Sequence, residues 1–201
     1  MQEEPLHVRL KFEEDRGTVG GAQTEGGGWD ARAKELIREL GLKVLPKESG
    51  YLGIVGVSDE KVTVRGRAFG EQSQNYYMLT RELPINYLHW LEPTDTHVLI
   101  EGGPVDYFIF CKGKKAEKRV LGMDLKAGQR PIVTVPAGCW KALRLTGGAA
   151  YALMANALSP EFTADRVRIG AGEDWVREWA GSAPWATREF LREMIGPNWM
   201  K

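Results

Sequence analysis

Between Val44 and Leu158 the chain is cut into short apolar runs by glycine, proline, aspartate and charged residues, and this spacing leaves little room for helix. The runs are Tyr51–Val57, Val62–Ala68, Asn75–Leu79, Ile85–Leu91, His97–Ile100, Tyr107–Cys111, Arg119–Asp124, Ile132–Val135, Lys141–Leu145 and Ala150–Leu158. Segments of this length, separated by turn residues, predict a mainly β domain, either a sandwich or a barrel. A helical period flanks the β region on both sides. Asp30 is placed to cap a helix ending near Leu40, with Ala33, Leu36, Ile37 and Leu40 on one face and Gly41 after it. Glu173–Ala180 and Ala183–Ile195 predict two further amphipathic helices, the second capped by Ser182, with Pro184 in its first turn and Gly196-Pro197 at its end. Trp175, Trp179, Trp185 and Phe190 lie in this tail and are expected to pack it onto the barrel or onto a second subunit. Residues 1–29, with a possible strand at His7–Phe12 and the run Gly26-Gly-Gly28, read as a flexible arm. The expected division is an arm over 1–29, a barrel with its leading helix over 30–168, and a helical extension over 169–201.

Length and charge narrow the function. With 201 residues the chain suits one domain with a sizeable core. Lysine plus arginine equals aspartate plus glutamate at 27 each, so no basic field gathers nucleic acid or anionic lipid. Neither is expected as a partner. The first residues lack the basic and apolar regions of a signal peptide, and no apolar run is long enough to span a bilayer. A soluble, cytoplasmic protein is expected. Cys111 and Cys139 form no close pair in sequence and are expected as reduced thiols, Cys139 as a buried structural one. The Lys112-Gly-Lys-Lys115 segment reads as an exposed hairpin tip, and Gly102-Gly-Pro104 and Gly147-Gly148 read as turns rather than phosphate loops.

Chemistry is concentrated in His89–Gly102. His89 lies on one apolar run, and Asp95 and His97 lie two residues apart on the next. Alternation sends Asp95, His97 and Leu99 to one face and Thr96, Val98 and Ile100 to the other. The ionisable groups therefore share a face.

The spacing His89-x5-Asp95-x6-Gly102, followed by Val135-Pro-Ala-Gly-x-Trp140, resembles the two motifs of the cupin superfamily. The chain is most similar to a small group of uncharacterised cupins that resemble sugar-nucleotide 3,5-epimerases. Leu45-Pro-Lys-Glu-Ser-Gly-Tyr51, Tyr76-Tyr-Met-Leu79 and Leu121-Gly-Met-Asp-Leu-Lys-Ala-Gly-Gln-Arg-Pro131 also match, and the resemblance spans roughly Ala33 to Val167. It implies a double-stranded β-helix, a jelly-roll barrel with one helix before it and two after, and a homodimer. It also places His89 and Asp95 at two of the superfamily's four metal-ligand positions, with Leu91 and Lys141 at the other two. An ammonium at Lys141 repels a divalent cation, so no metal is favoured. If iron, manganese, zinc or nickel binds, His89, Asp95 and His97 are its expected ligands.

Three functional readings follow. In the leading one, an isomerase, epimerase or lyase acts on a carbonyl-bearing or sugar-like substrate in the lumen. His89 is the base, Asp95 fixes its tautomer, Lys141 stabilises an oxyanion and Tyr107 is the favoured acid, with His97, Tyr77, Tyr87 and Trp140 lining the substrate. The second is a non-haem iron oxygenase and the third a non-catalytic sensor or binding module for a small ligand.

Overall fold

The computed structural model describes residues 30–200, so the expected arm and its strand at His7–Phe12 lie outside the described residues. Asp30 caps α1 (Ala31–Glu39), its carboxylate accepting from the Arg32 and Ala33 amides. Thirteen strands follow among the described residues: β1 (Lys43–Val44), β2 (Tyr51–Val57), β3 (Lys61–Val64), β4 (Arg67–Gly70), β5 (Ser73–Thr80), β6 (Ile85–Leu91), β7 (Thr94–Gly102), β8 (Val105–Phe110), β9 (Glu117–Leu121), β10 (Ile132–Val135), β11 (Trp140–Leu145), β12 (Tyr151–Ser159) and β13 (Val167–Ile169). Helices α2 (Glu173–Trp179) and α3 (Arg188–Ile195) close the chain.

Two antiparallel sheets form the barrel walls. One has the order β1-β2-β5-β12-β7-β10 and the other β13-β6-β11-β8-β9, with β3–β4 as a separate hairpin. Their facing sides bury Tyr77, Leu79, Tyr107, Ile109, Leu143 and Met154 in the lumen. The crossovers between sheets, with strands distant in sequence paired side by side, make the expected double-stranded β-helix.

Each outer face is covered by helix. Ala33 and Leu36 of α1 pack on Tyr51, Met78 and Leu153, the outward residues of the first sheet. Arg32 also forks onto Glu101 of β7, and this pairing holds the Glu101 carboxyl down to about 2. Helices α2 and α3 cover Leu88, Phe108, Phe110 and Ala142 of the second sheet with Trp175, Trp179, Leu191 and Met194. Of the two surfaces expected for the tryptophan-rich tail, the barrel is the one it packs on within this chain. Among the described residues no helix is long and apolar enough to cross a membrane.

Three expectations need correction. The run Val62–Ala68 is two strands, because Arg65 and Gly66 both take positive φ (51° and 79°) and close a two-residue hairpin. The last helix begins at Arg188, not Ala183. Ser182 donates its hydroxyl to the Trp179 carbonyl at 2.7 Å, finishing the preceding helix, while the Thr187 hydroxyl accepts from the Phe190 amide at 3.2 Å. The third concerns the cysteines, which are joined rather than free. Strand β8 pairs β11 with Phe110 opposite Trp140, so the next residues outward, Cys111 and Cys139, face each other with Cα atoms 4.5 Å apart. Their separation of 28 residues hides that adjacency in the sequence.

The helix boundary is directly testable. Thr187→Ala is expected to lower stability by about 1 kcal/mol in urea unfolding, as loss of an N-cap does. An unchanged midpoint would place the helix start elsewhere.

Candidate functional site

Alternation along β7 turns Asp95 and His97 inward, at 1% and 3% exposure, while Val98 and Ile100 face outward. Opposite them β11 carries Lys141 inward, also buried, with β8 supplying Tyr107 and β6 supplying His89. The Asp95 carboxylate is the hub. One oxygen contacts the Lys141 ammonium and the His97 Nε2, the latter at 3.0 Å, and the other contacts the side-chain amide of Asn156. Asn156 is oriented in turn by its own carbonyl, which accepts from the Asn75 amide at 3.0 Å, so its nitrogen faces Asp95 and stands 2.9 Å from His97 Nε2. On the other side of the ring, His97 Nδ1 meets the Tyr107 hydroxyl at 2.6 Å. Asp95 accepts from Lys141 and Asn156, and the Tyr107 hydroxyl also reaches the Met154 sulfur at 3.2 Å, so both ring nitrogens of His97 are engaged in either neutral tautomer.

His89 belongs to a different group. Its Nδ1 donates to the Tyr87 carbonyl at 2.8 Å, and its Nε2 is turned toward a Glu48 carboxylate oxygen at 3.7 Å. The expected pairing of Asp95 with His89 is therefore replaced by Asp95 with His97 and Lys141, and by Glu48 with His89. A β-bulge explains where β6 points. Lys141 pairs His89 while Leu143 pairs Asn86, so two residues of β11 span three of β6. Asn86 and His89 both face inward as a result. The loop that carries Glu48 is fastened to the bulge: the Glu48 carbonyl accepts from the Tyr87 amide at 2.8 Å and from the Asn86 side chain at 3.1 Å. Tyr77 donates to the Ser49 carbonyl at 2.8 Å, and its hydroxyl lies against Gly50, whose positive φ of 75° and missing side chain both serve that close approach.

Two expected lumen residues are elsewhere. The bulge takes Tyr87 out of the inward register, and its ring packs against Gly196 at the end of α3. Trp140 must point outward because its neighbour Lys141 points in. Its ring lies 6.1 Å from that of Trp175, among the aromatics under α2. Tyr77, Tyr107 and His97 do share the lumen. Two residues in the site escaped the sequence reading. Glu48 lies within the quoted Leu45–Tyr51 segment, and Asn156 is the polar interruption of the apolar strand β12. A side-chain amide inside such a run is itself a signal of a buried polar network.

Burial sets the protonation states. Desolvation lowers both His89 and His97 to about 4, opposed by the Glu48 carboxylate, so both are neutral near pH 7. Burial likewise draws Lys141 down to about 7 against the pull of Glu48. Tyr77 and Tyr107 are pushed well above the usual phenol value by burial and stay protonated.

The donor set does not fit a metal. His97 has both ring nitrogens engaged, Asp95 is engaged on both oxygens, and the Lys141 ammonium sits where the resemblance puts a ligand. Among the described residues no group of three or more histidine, cysteine, aspartate and glutamate side chains is arranged to hold an ion. The conditional set of His89, Asp95 and His97 is not assembled, since His89 faces Glu48 instead.

Two outcomes are expected. Lys141→Met leaves a buried carboxylate without its cation and is expected to cost about 3–5 kcal/mol in urea unfolding, part of it recovered by adding Asp95→Asn. Equal stability of Lys141→Met would contradict the ion pair. The histidines bind protons in the unfolded chain near 6.5 but resist them in the fold until about 4. Their contribution to stability is thus complete above pH 6.5 and lost as pH falls toward 4. The urea midpoint is expected to drop between pH 7 and 5, and His89→Gln to flatten that drop; a flat wild-type profile would contradict it.

Comparison with known proteins agrees with this architecture. No curated protein matches the chain. Among solved structures, a hypothetical protein from Leishmania major is 24% identical with a TM-score of 0.65, covering 69% of this chain and 87% of that one. A protein from Shewanella oneidensis is 20% identical with a TM-score of 0.69, covering 82% and 98%. Oxalate decarboxylase from Bacillus subtilis matches at 17% identity and a TM-score of 0.43, over 62% of this chain and 28% of that chain. For the Leishmania and Shewanella proteins, at these identities, the likeness is one of fold. The family model described as Cupin superfamily (DUF985) matches residues 34–169, two thirds of the sequence, and the chain belongs to that family.

Proposed function

We propose that this protein is a small-molecule enzyme of the isomerase, epimerase or lyase type, working by acid–base chemistry in the barrel lumen without a metal. The observation that carries this reading is the state of His89. Its Nδ1–H is committed to a backbone carbonyl, so the lone pair is on Nε2, and that nitrogen is directed toward a carboxylate. A neutral imidazole so held is a base whose protonated form Glu48 stabilises, which is the condition for taking a proton from carbon next to a carbonyl. Lys141 supplies positive charge for the oxyanion that forms, and Tyr107, held by His97, supplies a proton on the other side. These groups are nearly enclosed in the protein. That enclosure, with Asp95, His97 and Lys141 already paired inside the protein, also favours one second reading, a small-ligand binding module without catalysis. The homodimer and cytoplasmic location belong to the same proposal and rest on the resemblance and composition.

Hydrogen exchange tests the reading without knowledge of the natural substrate. Wild-type protein in deuterated water, incubated with a panel of keto-sugars and 2-oxo acids, is expected to place deuterium next to the carbonyl of at least one, as read by proton NMR. His89→Gln is expected to slow that exchange about a hundredfold, and Glu48→Gln less, since it only stabilises the product imidazolium. Exchange at the same rate in His89→Gln would contradict the proposal, and saturable binding without exchange would favour the second reading.

A further inference from the structure

The Glu48 carboxylate that faces His89 accepts no hydrogen bond among the described residues, so its aim depends on the backbone that carries it. That backbone is held at three consecutive carbonyls by three separate parts of the fold. The Ser49 carbonyl accepts from the Tyr77 hydroxyl of β5, and the Glu48 carbonyl from the Tyr87 amide and the Asn86 side chain of β6. The Lys47 carbonyl accepts from the side-chain amide of Asn198 at 2.8 Å, 151 residues further along the chain.

Asn198 ends a short 3-10 turn, Gly196–Asn198, directly after α3. This last segment is seated on the strand beside the base. Strand β13 pairs β6 with Ile169 opposite His89, and the Gly170 amide continues the contact to the Leu88 carbonyl at 2.8 Å. The chain end then lies on residues 170–172. The Met200 amide donates to the Ala171 carbonyl at 3.0 Å, and a side chain on Gly170 would collide with the Asn198 backbone, one on Gly172 with the Met200 carbonyl. Asn198 thus has its backbone packed on the strand that flanks His89 and its side chain bonded to the loop that carries Glu48. We infer that Asn198 is a positioning residue, through which the C-terminal segment sets the distance between the Glu48 carboxylate and His89 Nε2. The inference rests on the lumen base proposed above and gives the tail a part in the site beyond covering the second sheet.

The 15N chemical shift of His89 Nε2 at pH 7 responds to the nearby carboxylate and needs no substrate. Asn198→Ala is expected to move it in the same direction as Glu48→Gln, by a smaller amount, and to add nothing in the Glu48→Gln background, since both changes act through one carboxylate. In the deuterium-exchange assay Asn198→Ala is expected to slow turnover about threefold to tenfold, the weight of one hydrogen bond, and again to add nothing to Glu48→Gln. An unmoved Nε2 shift in Asn198→Ala would overturn the inference, as would an effect of the same size with and without the Glu48 carboxylate. Absence of exchange in the wild type counts against the lumen chemistry, and the NMR cycle still decides the role of Asn198.

Discussion

A carboxylate shut inside a barrel must be surrounded by donors, and Asp95 imposes that requirement on the whole lumen. Its oxygens meet an ammonium from β11, an imidazole from its own strand and an amide from β12, so both sheets contribute to one charge. Desolvating a carboxylate and an ammonium separately would cost several kcal/mol each, and their pairing with further hydrogen bonds offsets this. The same network passes through His97 to the Tyr107 hydroxyl and through Asn156 to Asn75. It leaves no opening for a metal on Asp95 or His97, because their ligating atoms already have protein partners. Lys141 is the decisive residue here: it replaces an ion's charge with its own.

His89 stands outside that network because of a local backbone irregularity. The bulge in β6 turns Asn86 and His89 to the same side, frees the Tyr87 carbonyl to fix the imidazole, and presents the Tyr87 amide to the Glu48 carbonyl. One extra residue in a strand thus creates the His89–Glu48 pair and removes Tyr87 from the lumen. Bulges often re-aim side chains beside functional sites. The result is two ionisable groups of opposite character in one enclosure, a neutral base beside Glu48 and an anion neutralised by Lys141.

Much of this was legible in the sequence, and the limits have identifiable causes. The runs Ile85–Leu91 and Ile132–Val135 are strands with those bounds, and the period of two in β7 places Asp95 and His97 on one buried face. Alternation also contains the information that Trp140 and Lys141 cannot both face inward. The bulge is different: it breaks the period without a proline or glycine to mark it, so Tyr87 carries the parity of a lumen residue and the position of a surface one. Partnerships formed by folding were equally hidden. Glu48 reaches His89 from a loop 41 residues away in sequence, by subtraction of the two numbers, and Cys111 reaches Cys139 only through the pairing of β8 with β11. The Arg65-Gly66 turn lacks the asparagine or aspartate that usually announces a two-residue hairpin.

The protonation state of His89 tests the central claim most directly. Long-range 1H–15N NMR of the imidazole rings distinguishes the two neutral tautomers and follows their titration. For His89 the account predicts a neutral ring at pH 6 with its proton on Nδ1, taking up a second proton only near pH 4. A proton on Nε2, or titration near the ordinary histidine value of about 6.5, would contradict it.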